Sequence, residues 1–315
     1  MTEWLLSGLA LVILLLAGDA LVRGAVNLSL RLGVPALIVS LTIVAFGTSA
    51  PELLIAISAV RDNAPGIALG NVVGSNTANI LLVLGIPAML ATLHTSECQT
   101  RKAYVFMLAA SIAFIALAFL GTFTIVTGVI LLTLLALVLA DAFRDARAHH
   151  KAGEPDDLET IDEADPDMPY WRVTLYLVLG LVGLPLGADI LVDNASLIAR
   201  SYGVSNTVIG LTLVAVGTSL PELATTVMAA LRRQADVALG NVIGSNMFNL
   251  LAIVGVATFF GDIPVDQGFL DFDLWVMLAA SLLLIPFVFF KVDITRIWGI
   301  GLTALYGIYV AVLLT

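Results

Sequence analysis

Residues 47–54 read "GTSAPELL", and residues 217–224 read "GTSLPELA". Each segment places a glutamate, Glu52 or Glu222, inside an otherwise apolar run. A charged side chain at the middle of a membrane helix costs about 2.5 to 3.5 kcal/mol on insertion scales. Because the same costly residue recurs in the same local sequence, the two glutamates indicate a functional site rather than helix packing.

The composition is that of a polytopic membrane protein. The 315-residue chain is 60% hydrophobic and only 12% charged, with a mean hydropathy of +1.04. An apolar helix of about 20 residues crosses the hydrocarbon core of a bilayer. The net charge of −10 is concentrated in one place, because eight of the 24 acidic residues lie between Glu154 and Asp167. We therefore expect membrane lipid as the surroundings, and neither a nucleic acid nor a protein partner is implied.

Polar and Pro/Gly-containing breaks divide the apolar sequence into ten predicted spans. The N-terminal segment lacks the basic region and cleavage site of a secretory signal, so it is predicted to be the first helix. Residues 143–170 form an acidic linker between residues 1–142 and 171–315, and each of these two halves contains five spans. The spans cover roughly residues 4–31, 35–60, 65–92, 103–120, 123–142, 171–200, 206–230, 235–260, 270–290 and 295–314.

The basic residues predict the orientation in the membrane, because cytoplasmic connections collect Lys and Arg. With the N-terminus outside, 11 basic residues fall on the cytoplasmic side and only Arg61 and Arg200 fall outside. We therefore expect a multi-pass protein of a prokaryotic inner or plasma membrane with both termini extracytoplasmic and the acidic linker cytoplasmic.

The two halves are related by an internal repeat. Residues 41–86 align without a gap to residues 211–256, with 22 of 46 positions identical. Because each half has an odd number of spans, the second copy must be inverted relative to the first. The predicted fold is therefore all-α, with ten transmembrane helices arranged as two inverted-topology five-helix repeats, an architecture that places ion sites near the middle of the membrane.

Polar residues within each repeat follow helical spacing. The pairs Thr48 with Glu52 and Ser75 with Asn79 are four residues apart, and so are their repeat equivalents Thr218 with Glu222 and Ser245 with Asn249. Such pairs lie on one helix face. Four helices can therefore direct hydroxyl, amide and carboxylate oxygens toward one cavity.

Pro51 and Pro221 predict broken helices beside this cavity. A proline lacks the N–H that would bond the carbonyl four residues back, which here belongs to Gly47 or Gly217. Non-helical backbone at membrane depth occurs where it lines a cavity or is buried in protein. Unwound carbonyl groups are thus further potential ligands.

Oxygen ligands without His or Cys nearby suit a hard cation such as Ca²⁺ rather than zinc or copper. Glu52 and Glu222 together match the charge of one Ca²⁺ or of two Na⁺ ions, and protonation would be another way to offset their cost.

Other polar residues in the apolar runs have less certain roles. Asn71, Asn76, Asn241 and Asn246 fit helix packing and the site equally well. Asp19 and Asp189 are interpreted as structural or access-path residues, and Asp19 is predicted to form a local ion pair with Arg23 one turn later.

The paired "GTSAPE" and "GTSLPE" segments are each followed about 20 residues later by "GNVVGSNTAN" or "GNVIGSNMFN". This pattern resembles the repeats of the calcium/cation antiporter superfamily, and it is most similar to the prokaryotic sodium/calcium exchangers. The resemblance covers nearly the whole chain. It implies two inverted five-helix halves, in which helices 2, 3, 7 and 8 form the ion-binding core and helices 1 and 6 slide across that core.

The resemblance also implies roles for residues that match the family motif. Glu52 and Glu222 would be shared ligands for Ca²⁺ and Na⁺, assisted for Ca²⁺ by Thr48 and Thr218. Sodium would use the hydroxyls of Ser49, Ser219, Ser75 and Ser245 and the carbonyls of Ala45 and Ala215. Asn79 and Asn249 would lie between the glutamates. Many exchangers have Asp in place of Asn249, so the potassium dependence and the number of ions per cycle stay open.

Three functions are compatible with these features to different degrees. The leading hypothesis is a secondary active antiporter that exchanges Na⁺ for Ca²⁺ by alternating access at one shared site. A proton-coupled Ca²⁺ or divalent-cation antiporter is the alternative, with H⁺ replacing Na⁺, and a passive cation channel is third. An enzyme is not expected because no nucleophile with a base and no HExxH motif occurs in the sequence. No cofactor is expected beyond the transported ions.

Overall fold

The chain folds into apolar helices that are long enough to cross a membrane. The computed structural model describes residues 2–152, 165, 167–203 and 215–313. Within these ranges, eight helices have the length and hydropathy of a membrane span, and a ninth span results if one bent pair of helices is counted together. The predicted helix over 206–230 and the linker 143–170 fall partly outside the described residues.

The first half contains six helices and a short strand. The predicted second span is broken in two at Ser49, and the fifth helix continues past its predicted end at residue 142. The elements are α1 (Thr2–Leu32), α2 (Ala36–Thr48), α3 (Ala50–Arg61), α4 (Pro65–Leu90), α5 (Arg101–Ala118), β1 (Thr122–Phe123) and α6 (Ile125–Ala152).

The second half repeats this order within the residues described. Its short α8 and α9 meet at Ser219, which is the repeat equivalent of the break at Ser49. The elements are α7 (Tyr170–Ser201), α8 (Ala215–Thr218), α9 (Leu220–Leu231), α10 (Ala235–Ala257), β2 (Ile263–Pro264), α11 (Phe269–Phe289) and α12 (Arg296–Leu313).

Connections from the two halves meet at opposite ends of the molecule. Strands β1 and β2 pair antiparallel, with Thr122 opposite Pro264, and join the α5–α6 connection to the α10–α11 connection. At the other end, Leu93 pairs with Ile294, and Asp293 accepts hydrogen bonds from the Ser96 N–H and from His94. If the helices run alternately up and down, the α5–α6 and α10–α11 connections lie on one side of the membrane, and the connections that contain Leu93 and Ile294 lie on the other. Each observed pairing therefore joins two connections that this path places on the same side.

The helices form a buried centre surrounded by a lipid-facing shell. The apolar stretch of α10 is completely buried and that of α4 is 78% buried, whereas those of α6 and α12 are only 17% buried. The exposed side chains of the outer helices are large and apolar, as in Ile130, Ile297 and Ile308. The "GNVVGSN" and "GNVIGSN" motifs therefore lie on α4 and α10, the most buried of these spans.

The long helices α1 and α7 pack against each other through small residues. A side chain added at Gly180 would come within 2.5 Å of the Cβ atom of Leu21, and one added at Gly187 within 2.9 Å of Leu14. Backbones that approach this closely gain van der Waals contact in a membrane, where no hydrophobic effect drives helices together.

The predicted ion pair between Asp19 and Arg23 is present, with a separation of 2.9 Å. Asp19 also pairs with Arg232, which lies in the turn between α9 and α10. The sequence pattern did not indicate this second partner, because it comes from the other half of the chain. Asp189, the repeat equivalent of Asp19, is exposed on α7.

The second Gly-x-x-x-Gly segment brings α10 close to α2. A Cβ atom at Gly240 would lie 2.8 Å from the Cβ atom of Ser40, and one at Gly244 would lie 2.5 Å from the Leu41 carbonyl oxygen. The Ser40 hydroxyl donates to the Val237 carbonyl at 2.6 Å. In the first copy, a Cβ atom added at Gly74 would have no described atom within 4 Å, and Leu211, the repeat equivalent of Leu41, lies outside the described residues.

We expect Gly244→Ala to destabilise the protein by about 1 to 3 kcal/mol, because the new methyl group must push α10 away from α2. The control variant Gly307→Ala adds its methyl group on the exposed side of α12, where no described atom lies within 4 Å. It should be neutral or stabilising by up to about 1 kcal/mol through its higher helix propensity. Thermal unfolding in detergent, followed by tryptophan fluorescence, measures both. Equal midpoints for the two variants would contradict this account of the contact.

Candidate cation site

The break in each repeat places its glutamate at the start of a new helix. Ser49 and Ser219 have nearly identical non-helical backbone angles, with φ near −85° and −87° and ψ of 4° in both. Pro51 and Pro221 follow within the first two positions of α3 and α9. The axes of α2 and α3 differ by 42°. The helix interruption predicted from the two prolines is therefore present.

The two glutamates are buried in the first turns of α3 and α9. Glu52 is 1% exposed and Glu222 is not exposed. The N-terminal turn of a helix carries unpaired N–H groups and a partial positive charge, both of which favour a carboxylate. This location reduces the cost of the two charges but does not remove it.

Each glutamate has an oxygen atom that lacks a hydrogen-bond partner among the described residues. Oε1 of Glu222 accepts a hydrogen bond from Ser49 at 3.3 Å, but Oε2 of Glu222 and Oε2 of Glu52 are buried and accept none from this part of the chain. The hydrogen bond from Ser49, which lies three residues before Glu52, places the two carboxylates in the same buried region, where like charges repel. Buried unpaired oxygens and repelling like charges are both unfavourable. A cation bound between the glutamates would offset both penalties.

Hydroxyl groups from the two halves meet beside the glutamates. Thr48 Oγ1 lies 3.5 Å from Ser245 Oγ, and both side chains are buried. Together with the bond from Ser49 to Glu222, this contact joins predicted ligands of one repeat to predicted ligands of the other. The structure therefore brings Thr48, Ser49, Ser245 and Glu222 together across the repeat interface.

Asn79 and Asn249 are both buried, but they differ in their hydrogen bonds. The amide nitrogen of Asn79 donates to Asn246 Oδ1 at 3.0 Å, which leaves Asn79 Oδ1 without a partner. Neither polar atom of the Asn249 side chain has a hydrogen-bond partner within the described ranges. Both residues lie in π-helical turns, Asn79–Val83 and Phe248–Ile253. Single π-helical turns within α-helices often mark functional sites.

The remaining predicted ligands differ in how closely they relate to this cluster. Ser75 and Ser219 are buried, and the Ser219 hydroxyl lacks a partner. The Ala45 carbonyl accepts hydrogen bonds from the Ser49 N–H and from Thr48. Thr218 is partly buried and donates to Asn71 at 3.3 Å. Ala215 begins α8, and its side chain is outside the described residues.

The sequence did not distinguish three residues near the site from residues that only pack helices together. Asn241 contacts Thr48 and the Glu222 carbonyl, and Asn246 contacts Asn79 and the Asn76 carbonyl. Thr226, whose hydroxyl oxygen accepts a hydrogen bond from the Asn241 amide nitrogen at 3.2 Å, was not singled out. The asparagines belong to the repeated "GNV" and "GSN" strings, whereas Thr226 has Ala56 as its repeat equivalent and left no signal.

The donor set of this cluster is suited to a hard cation. All of the grouped side chains carry oxygen ligands, and hard cations such as Ca²⁺ are bound by carboxylate, carbonyl and hydroxyl oxygens. In the part of the chain that the structure describes, no group of three or more His, Cys, Asp or Glu side chains is arranged to hold a metal ion. A site for zinc or copper is therefore not found in that part.

Fold and site together define a multi-span membrane protein that encloses a carboxylate-bearing oxygen site between two sequence repeats. The family model described as "Sodium/calcium exchanger protein" matches residues 2–143 and 172–315. The chain belongs to this family.

Two relatives and one solved structure are similar to this chain over most of their length. The sodium/calcium exchanger MaX1 of Methanosarcina acetivorans is 32% identical over 97% of this chain and 96% of its own. The inner membrane protein YrbG of Escherichia coli is 33% identical over 90% of this chain and 86% of its own. The solved structure of the sodium-calcium exchanger NCX_Mj, soaked with Na⁺ and Sr²⁺, superimposes with a TM-score of 0.81 at 33% identity. The superposition covers 99% of this chain and 98% of NCX_Mj.

We expect Glu52→Gln and Glu222→Gln each to weaken Ca²⁺ binding by a hundredfold or more, because each removes a buried charge worth about 3 kcal/mol or more. Titration calorimetry of the purified protein measures the dissociation constant. Asp189→Asn is the matched control, since it neutralises a carboxylate in an apolar run that is exposed on α7. Binding within threefold of wild type in either glutamine variant would contradict a shared carboxylate site.

Proposed function

We propose that this protein is a secondary active antiporter that exchanges Na⁺ for Ca²⁺ through one shared site in the middle of the membrane. The observation that carries the proposal is that Ser49, three residues before the buried Glu52, donates to the buried Glu222 of the other repeat. Each glutamate keeps an oxygen without a hydrogen-bond partner among the described residues. Membership of the sodium/calcium exchanger family supports the same two ions.

The mechanism follows from sharing the two carboxylates. One Ca²⁺ or two Na⁺ ions neutralise the charge of Glu52 and Glu222, so the two kinds of ion compete for the same oxygens. The empty site would carry two unpaired charges through a low-dielectric region, which is costly. Movement of the site between the two sides is therefore favoured only when cations occupy it, and this couples the two ion flows.

We assign the ligands as the sequence resemblance implies. Ca²⁺ would contact the two glutamates with Thr48 and Thr218, and Na⁺ would contact the glutamates with the serine hydroxyls and the Ala45 and Ala215 carbonyls. The contacts of Thr48 with Ser245 and of Ser49 with Glu222 support this assignment for one side of the site. Asn249 is uncharged, so in this assignment the two glutamates alone set the charge of the site.

We further propose ten spans in two inverted halves, residues 1–142 and 171–315, with the linker and most basic residues on the cytoplasmic side of a cell membrane. The broken pair α2–α3 would be the second span. Helix α9 would be the second part of the seventh span, whose first part includes residues outside the described ranges. The pairing of β1 with β2 at one end, and of Leu93 with Ile294 at the other, supports this alternation.

Reconstitution tests the ion coupling. Proteoliposomes loaded with Na⁺ and diluted into Na⁺-free medium with labelled Ca²⁺ should accumulate Ca²⁺, and those with only a pH gradient should not. Glu222→Gln proteoliposomes serve as the inactive control. Uptake driven by the pH gradient alone would replace the sodium mechanism, and passage of Ca²⁺ down its own gradient without a counter-ion would indicate a channel.

Cysteine labelling tests the orientation, because Cys98 is the only cysteine in the chain. In a Cys98→Ser background, we expect Thr2→Cys to react with a membrane-impermeant maleimide added to intact cells. Arg147→Cys, at the predicted cytoplasmic end of α6, should react only after the membrane is permeabilised. The reverse pattern would invert the proposed topology.

A further inference from the structure

Asn241 links predicted ligands of the two halves through one buried amide. The side chain is not exposed, and it lies on α10 between α2 and α9. Its Oδ1 lies 3.3 Å from Thr48 Oγ1, and its Nδ2 lies 3.3 Å from the Glu222 carbonyl oxygen and 3.2 Å from Thr226 Oγ1. Every polar atom of the amide is therefore engaged beside the site.

The partners of Asn241 determine which way its amide faces. The Glu222 carbonyl can only accept a hydrogen bond, so the amide nitrogen must face it. The amide oxygen is then directed at Thr48, and it can only accept. Thr48 must consequently donate its single hydroxyl proton if this contact is to be a hydrogen bond.

A threonine hydroxyl binds a cation with its lone pairs, and its proton must point away from the ion toward an acceptor. The Ala45 carbonyl also lies 3.3 Å from Thr48 Oγ1, but it already accepts the Ser49 N–H at 3.0 Å. Asn241 Oδ1 has no donor other than Thr48 among the hydrogen bonds of the described residues. It is therefore the acceptor that is best placed to take the proton.

We propose that Asn241 is a positioning residue, which takes the hydroxyl proton of Thr48 and so directs the Thr48 lone pairs toward Ca²⁺. The inference rests on the proposed function, in which Thr48 is a calcium ligand. Asn241 does not itself touch the ion in this arrangement. It acts through Thr48 and sets the affinity for Ca²⁺.

The repeat equivalent of Asn241 is held less firmly. Asn71 Oδ1 accepts the hydroxyl of Thr218 at 3.3 Å, which is the same contact in the other half. However, Asn71 Nδ2 is buried without a partner among the described residues, and Ala56 occupies the position equivalent to Thr226. The amide of Asn71 therefore lacks the hydroxyl that helps to orient Asn241. Asn241 is consequently the stronger of the two positioning residues.

A double-mutant cycle tests whether Asn241 acts through Thr48. In purified protein, Asn241→Ala should weaken Ca²⁺ binding about tenfold, which is the upper range for loss of a hydrogen bond. In a Thr48→Ala background, the same substitution should have no further effect. Asn71→Ala should weaken binding about threefold, at the lower end of that range.

A second variant keeps the test valid if Asn241→Ala does not fold. Thr226→Val removes the hydroxyl that orients the amide while it preserves the side-chain volume. We expect it to weaken Ca²⁺ binding about two- to threefold, and only when Thr48 is present. Effects that add in the Thr48→Ala background would overturn the positioning role, and so would unchanged Ca²⁺ affinity in the folded variants.

The Ca²⁺ binding measurement tests the role of Asn241 independently of the transport measurement that tests the proposed function. If wild-type proteoliposomes showed no Na⁺-driven Ca²⁺ uptake, the proposed exchange would fail, but the binding cycle would still report on Asn241 and Thr48. If uptake were normal and the cycle additive, only the positioning role would fail. In transport assays, we expect the Asn241→Ala variant to show a raised KM for Ca²⁺ and a maximal rate close to wild type.

Discussion

The repulsion between two buried carboxylates is the constraint on which the arrangement of this protein depends. Glu52 and Glu222 come from different halves, lie in the same apolar region and each keep an unpartnered oxygen. A helix N-terminus and hydroxyl donors offset part of the desolvation cost of each charge, and a bound cation would offset more of it. The helix breaks place the two glutamates at helix N-termini. The central position of the polar helices and the apolar shell around them keep both carboxylates away from lipid.

The backbone of the core is irregular where the ligands lie. Proline ends one helix and starts another beside each glutamate, and π-helical turns occur at Asn79 and Asn249. Irregular backbone is tolerated at membrane depth because these helices are covered by protein rather than lipid. The close contact at Gly244 also matters, because it brings α10 near enough to α2 for Ser245 to reach Thr48.

The two repeats are similar in sequence but not equal in their contacts. Asn246 orients Asn79, whereas its equivalent Asn76 donates to the Val72 carbonyl of its own helix, and Asn249 has no partner. Thr226 supports Asn241, whereas Ala56 offers Asn71 nothing. In the proposed inverted arrangement, symmetry would relate the two halves, but a site that is open to one side at a time would require the halves to differ in any single state.

The sequence alone determined the class of protein, because apolar spans, a repeat with a constant offset and two matched glutamates leave local patterns that can be counted. It also predicted the helix breaks at Pro51 and Pro221 and the ion pair of Asp19 with Arg23, since these effects act within one turn of helix. Only the tertiary structure decided that Asp19 also pairs with Arg232, that Gly244 packs closely against Leu41, and that Asn241 reaches Thr48. These contacts join residues from different halves of the chain, and their geometry depends on how the helices pack, which no local pattern records.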